Sequence, residues 1–279
     1  MGKKVFIFGS RGVVGSALEK EFSGRGYETV SPTHSELPLQ KRETVEERLT
    51  HLRPAIVVNC AALSGHDLCE EDSHNAFLLN ALAVKNLAKA VNAINAILIH
   101  VSTSAVFDGR KQDAYTEEDC PSPINVYGGT KLLGENMARQ WCEKCYVFRL
   151  PMLFGPRRNE GMGFLDKMLS LLQNGSRELQ ASTDEYHSPT CSSNMAQGMV
   201  EIVEGGKFGL YHISSNAFVS LYDMAQEIVS VLKAEVTVKP VRHDFFPRKA
   251  AIPLNGALSS VQFPSVGDWR EAFREWLAK

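Results

Sequence analysis

The chain has 279 residues, enough for one large α/β domain or for a nucleotide-binding domain with a smaller lobe. Hydrophobic residues make up 44%, an ordinary share for a globular protein with a sizeable core. The net charge of −2 supplies no basic excess, which argues against nucleic acid or an anionic membrane surface as partner. The apolar run at 5–8 is too short for the core of a secretion signal, and no stretch approaches the length of a membrane span. Gly2 would suit myristoylation, but Phe6 stands where that motif needs Ser or Thr. Cys60, Cys69, Cys120, Cys142, Cys145 and Cys191 are scattered and read as reduced thiols of a cytoplasmic protein. Cys142 and Cys145 form a lone C-x-x-C with no second pair or matching histidines, so no metal site is expected.

Along the chain, residues 4–8 form an apolar run that ends at Gly9 and reads as a buried parallel strand. Helical periodicity follows over 12–26, then a strand at 27–30, a helix at 45–52 and a strand at 55–59. A long amphipathic helix is expected over 75–95, a strand at 96–101, a helix at 126–143 and a strand at 145–150. This alternation predicts an α/β fold with a doubly wound parallel sheet. Beyond Pro151 the pattern loosens, with helices at 164–172, 194–203, 221–232 and 268–277 and a strand at 209–213. Residues 1–150 are therefore read as a dinucleotide-binding domain, and 151–279 as a smaller substrate-binding lobe packed on it.

Gly9-Ser10-Arg11-Gly12-Val13-Val14-Gly15 joins the first strand to the first helix. In a G-x-x-G-x-x-G turn the first glycine permits the tight bend, and the second lets backbone approach a pyrophosphate. The third allows close packing of helix on strand, and the phosphates meet the positive helix end. An acid at the end of the second strand would select NAD. Here Val30-Ser31-Pro32-Thr33-His34-Ser35 carries none before Glu36. Arg11, Thr33 and His34 suit a 2′-phosphate, so the cofactor is read as NADP(H), with NAD(H) left open.

Tyr127-Gly-Gly-Thr-Lys131 places a phenol and an ammonium one turn apart on one helix face. A free tyrosine titrates at about 10, and a lysine beside it is expected to lower that value. Upstream, Ser102-Thr103-Ser104 ends a strand, where open α/β sheets bind ligands. Thr103 can hold a carbonyl while Tyr127 protonates it, with Ser102 and Ser104 as competing hydroxyls.

The blocks GSRGVVG, VVNCAA, LLNALAVKNLA, STSAVFDG and PINVYGGTKLLGE resemble, in order and spacing, the extended short-chain dehydrogenase/reductases, in particular the dTDP-4-dehydrorhamnose reductases. The resemblance is specific over 4–150 and weaker through DEYHSPT, GLYHIS and Phe246-Pro247-Arg248. It implies a reductase of a 4-keto-6-deoxy sugar nucleotide, with Tyr127 as general acid, Lys131 as its electrostatic partner and Thr103 polarising the ketone. Asn59, Cys60, Ala61 and Ala62 would line the cofactor, and Asn80 would complete that side by supporting the active-site helix. Ser104, Val106, His187 and Arg248 would face the sugar nucleotide, and a homodimer is compatible with the family. Ser104-Ala105 replaces the family's Asp-Tyr pair, and Pro247-Arg248-Lys249 its Arg-Arg-Pro, which leaves the sugar open. His66 is read as a solvated loop residue. The same resemblance extends to the regulatory beta subunit of methionine adenosyltransferase, a non-catalytic alternative. A sugar epimerase with tightly held NAD is disfavoured by the missing acid.

Overall fold

The computed structural model describes residues 3–156 and 163–278; Met1 and Gly2, and with them the myristoylation question, lie outside that set. Six strands form one parallel sheet: β1 Lys4–Phe8, β2 Glu28–Val30, β3 Ile56–Asn59, β4 Ile97–Thr103, β5 Cys145–Leu150 and β6 Gly209–His212. Their order is β6-β5-β4-β3-β1-β2. The strand order reverses at β1, and ligands of such sheets lie beyond the strand carboxyl ends at that reversal.

The helices that matter are α1 Val13–Gly24, α2 Arg42–Leu52, α3 Ala83–Ala93, α4 Val126–Trp141, α5 Phe164–Gln173, α6 Ser192–Glu204, α7 Leu221–Leu232 and α8 Trp269–Leu277. Leu18 and Phe22 of α1 and Met195 and Met199 of α6 pack with Val5, Ile7, Val58 and Phe148 on one sheet face. Val45 of α2, Leu87 of α3 and Ala138 of α4 pack with Phe6, Val57 and Val147 on the other. Coverage of both faces explains why β1, β3 and β5 read as largely apolar runs. A separate core of Phe154, Leu179, Met224, Trp269 and Phe273 holds the second half of the chain.

Three elements differ from the sequence expectation. The helix expected over 75–95 is interrupted: Ser73–Phe77 leads into a π turn, Leu78–Leu82, before α3 begins. Asn80 inside that turn accepts from Leu63 N–H (2.8 Å) and donates to Leu63 O (3.1 Å) and Thr130 Oγ1 (3.2 Å). Apolar periodicity does not register a single inserted residue, so the π turn was invisible. Second, α6 and β6 lie beyond residue 150 yet belong to the main sheet, where β6 pairs with β5. Third, Glu178–Ser182 and Thr237–Val241 form a parallel ribbon that the sequence reading lacked. Pro240 disguised its second strand, and a two-stranded ribbon has the free edge that tolerates proline.

Helix α4 approaches its neighbours where side chains are missing. A Cβ on Gly128 would stand 2.1 Å from Ala105 O, and one on Gly134 2.3 Å from Asn80 O. A buried ion pair then fixes α4 to β5. Arg149 Nε and Nη2 donate to Glu135 at 2.9 and 2.7 Å, and Ser102 Oγ on β4 donates to the same carboxylate at 2.5 Å. The Arg149 guanidinium also lies 5.2 Å above the Phe107 ring.

Removing one partner leaves the other charge buried and unpaired. Arg149→Met is therefore expected to cost about 3–5 kcal/mol of unfolding free energy, read from urea midpoints. Arg149→Met with Glu135→Leu should recover much of that loss; a single variant as stable as the parent would show that the pair is not an anchor.

Candidate active site

The glycine turn has the geometry its spacing requires. Gly9 adopts φ +78, and a Cβ there would meet Ala61 N at 2.8 Å. A Cβ on Gly15 would fall 2.3 Å from Gly9 O, so α1 can pack this closely on β1 only with glycine. Gly12 caps α1 with no side-chain bond, and the helix start opens into a cavity of about 410 Å³. Gly9, Gly12, Val13, Val14, Gly15, Cys60, Ala62, Thr103, Tyr127 and Lys131 line it. A smaller cavity of about 140 Å³, sharing Gly9 and Gly12, is lined by Ser10, Arg11, Thr33, His34 and Ala61. The two cavities thus bring together the expected cofactor residues apart from Asn59, which is fully buried with its side chain on His100 and Ala61 N–H, and Asn80, which acts behind the wall through Leu63 and Thr130. A glycine floor, a helix start free of a side-chain cap, and Arg11 at one end fit a dinucleotide with its pyrophosphate on α1.

Tyr127 and Thr103 meet at the other end of the larger cavity. Both line the cavity wall, and Thr103 Oγ1 accepts from Ala105 N–H at 3.2 Å. Ser102 lines the same cavity, but its hydroxyl is engaged by Glu135. Burial raises the Tyr127 pKa; the Thr103 hydroxyl opposes this and Cys69 adds to it. The expected lowering by Lys131 is not found. Lys131 Nζ instead donates to Val101 O at 2.6 Å. Burial brings Lys131 down to about 8, while the Glu135 charge, one turn along α4, opposes the shift. Burial pushes the neighbouring Cys60 thiol up to about 12, so it is neutral.

On the sugar side, a Cβ on Gly256 would lie 3.1 Å from His187 Nδ1 and 3.3 Å from Ser104 Oγ, which places these two side chains together. Burial, then the Arg248 and His66 charges, bring His187 down to about 4, so it is neutral at physiological pH. Arg248 lines a further cavity of about 490 Å³ and pairs with the buried Glu185 at 3.3 Å. Val106 does not join this group: it is fully buried against Phe107, Tyr115 and Leu258. Packing won there because Val106 closes the short turn Ser104–Val106 that redirects the chain after β4.

His66, expected as a solvated loop residue, instead begins the short helix His66–Glu71 and is half-buried with its ring 5.3 Å from that of Tyr127. Asn125 Nδ2 donates to His66 Nδ1 (3.0 Å) and to Ala251 O (2.8 Å), while Asn125 Oδ1 caps α4 through Gly128 N–H (2.8 Å). Asp67 Oδ1 accepts from Lys249 and Ala250 N–H, tying the later segment to the same corner. An asparagine just ahead of a helical pattern is a capping signal, and could have flagged Asn125. Glu135 and Arg149 gave no such signal.

A dinucleotide-binding sheet with a Y-x-x-x-K pair at its carboxyl edge defines an extended short-chain dehydrogenase/reductase. Within that class the chain belongs to the family described as RmlD substrate binding domain, whose model matches residues 3–279. It is 30% identical to a dTDP-4-dehydrorhamnose reductase of Mycolicibacterium smegmatis over 286 residues, covering 100% of this chain and 86% of the relative. It is also 30% identical to the methionine adenosyltransferase 2 subunit beta of Xenopus tropicalis, over 80% of this chain and 70% of that one. A solved dTDP-4-dehydrorhamnose reductase of Bacillus anthracis str. Ames, in complex with NADP, superposes with a TM-score of 0.94 at 26% identity, covering 100% and 99% of the two chains.

The Lys131 value has a consequence. Its ammonium is charged below about 8 and neutral above, so any affinity that depends on the charge is present at lower pH and lost as pH rises. Dinucleotide dissociation constants measured from pH 6.5 to 9.5 should rise through that region, and Lys131→Met should flatten the profile. A wild-type profile without a break would disconnect Lys131 from binding.

Proposed function

We propose that the chain is an NADPH-dependent reductase of a 4-keto-6-deoxy sugar nucleotide, of the dTDP-4-dehydrorhamnose reductase kind. One observation carries this reading: Thr103, Tyr127 and Lys131 line one glycine-floored cavity that opens at the start of α1. The cofactor, when bound, supplies the hydride. Tyr127 supplies the proton. Its raised pKa keeps it a phenol at neutral pH, the form a general acid needs as the keto oxygen becomes an alkoxide. Thr103 orients that oxygen, since it lines the same cavity wall as Tyr127. The Lys131 ammonium, anchored on Val101 O, offers its remaining protons to cofactor hydroxyls and places positive charge behind the developing alkoxide. Ser104 and His187 face the sugar, and Arg248 exchanges Glu185 for a diphosphate oxygen. In this reading residues 1–150 serve mainly the dinucleotide and 151–279 the sugar nucleotide. All six cysteines are free, which supports work in a reducing cytoplasm.

The similarity to a methionine adenosyltransferase subunit supports a second reading, a non-catalytic partner that retains the nucleotide site. Turnover separates them. NADPH consumption should appear with a nucleotide-linked 4-keto sugar, and Tyr127→Phe should lower kcat by about 10²–10⁴ with NADPH affinity nearly intact. Thr103→Val should also lower kcat, with little change in cofactor binding. Absent turnover across a panel of such sugars favours the regulatory reading; undiminished turnover in Tyr127→Phe places the acid elsewhere.

A further inference from the structure

The end of β2 holds an acid that the sequence spacing discounts. Glu36 lies beyond the stretch where a ribose-binding acid is expected, but the chain turns back after Thr33. Glu36 Oε2 thereby accepts from Thr33 N–H at 2.7 Å and from Thr33 Oγ1 at 2.9 Å. Ser35 Oγ stands 3.1 Å from the same Thr33 hydroxyl. Thr33 lines the cavity that also holds Arg11 and His34, at the far end of the glycine turn from Tyr127. An adenosine ribose reaches this place when its pyrophosphate sits on α1. A backbone N–H, a hydroxyl and a nearby guanidinium are the donors a 2′-phosphate requires, and two of these three are already occupied by a carboxylate.

An alternative seat for that carboxylate adjoins it. Glu36 and Arg48 line one cavity of about 670 Å³ on the outer side of β2. The Glu36 carboxyl is held below its usual range chiefly by the Thr33 backbone N–H, then by the Thr33 hydroxyl, with a smaller contribution from the Arg48 charge. Ser31 Oγ, at the rim of this second cavity, is buried with no partner among the described residues.

We propose that Glu36 is the residue that sets cofactor discrimination: it stands in for the 2′-phosphate on Thr33, so NADPH binds by displacing it towards Arg48, whereas NADH binds with it in place. With NADH the carboxylate is an acceptor for the ribose hydroxyl; with NADPH it is a charge that must move. The preference for NADPH over NADH in the parent chain is accordingly held down, and is latent in Arg11, Thr33 and Arg48. This inference rests on the reading of the chain as an NADP(H) enzyme.

The test uses the full-length chain without sugar substrate, with NADPH and NADH dissociation constants measured by calorimetry at one salt concentration. Glu36→Gln should shift the affinity ratio towards NADPH by about tenfold or more, the worth of one charge-assisted contact. Arg48→Ala should shift it the other way by weakening NADPH alone, because the displaced carboxylate loses its second seat. Glu36 is exposed, so both variants should keep the parent melting temperature within a degree or two. An unchanged ratio in Glu36→Gln overturns the inference and leaves Glu36 as a local cap of the turn at 33–36. A parent chain that binds neither dinucleotide overturns the proposed function instead.

Discussion

The Glu135–Arg149 pair is the constraint on which the site depends. Its carboxylate is reached from three elements at once: from α4, which carries it, from β5 through Arg149, and from β4 through Ser102. Holding Ser102 against α4 also holds the end of β4, and with it Thr103, at the cavity that Tyr127 lines. The same carboxylate lies one helical turn from Lys131 and favours its charged form in a place where burial works against it. A buried ion pair is an uncertain source of stability, since desolvation offsets most of the attraction. Here it sets geometry: three backbone elements share one anion, and none can slide without breaking a short bond.

The absence of side chains contributes as much as their presence. Gly128 and Gly134 let α4 rest directly on the Ala105 and Asn80 carbonyls. Thr130, between them, receives the Asn80 amide, and Asn80 can reach both Thr130 and Leu63 because the π turn rotates it out of ordinary helical register. The loop after β3 and the helix that carries Tyr127 are thereby located by one side chain. His66 adds a second brace, since its imidazole is held by the asparagine that caps α4.

Much of this was legible in the sequence, for a physical reason. Gly9, Gly12 and Gly15, and Tyr127 with Lys131, are placed by local geometry, so their spacing alone encodes where they sit around one cavity. The same holds for β1, β3 and β5, whose apolar runs report a sheet covered on both faces. What escaped was non-local. Glu135 and Arg149 look like surface charges until the fold brings them together. The return of β6 to the sheet is a pairing with residues some sixty positions earlier, between Gly209 and Tyr146 at one end. Val106 sat in the right motif but on the packed side of a turn. The tyrosine–lysine spacing correctly placed both groups on one cavity, yet it could not show that the ammonium would turn to a strand carbonyl. Glu36 was set aside by counting along the chain, where a three-residue turn defeats the count.

The corner formed by Asn125, Asp67 and the segment 249–251 also bears on how the protein is made. The helix that carries Tyr127 receives part of its anchoring from residues more than a hundred positions downstream, and the open edge of β5 is covered only when β6 arrives. Contacts of such sequence separation form late, because the loop they close must be ordered first. During synthesis, the glycine turn and the first three strands are available early, while the neighbourhood of Tyr127 stays unfinished until nearly the whole chain has emerged. Until β6 emerges and pairs, β5 leaves an open strand edge, an aggregation hazard. The nascent chain therefore acquires a nucleotide cradle well before it acquires a working centre, and needs protection in the interval.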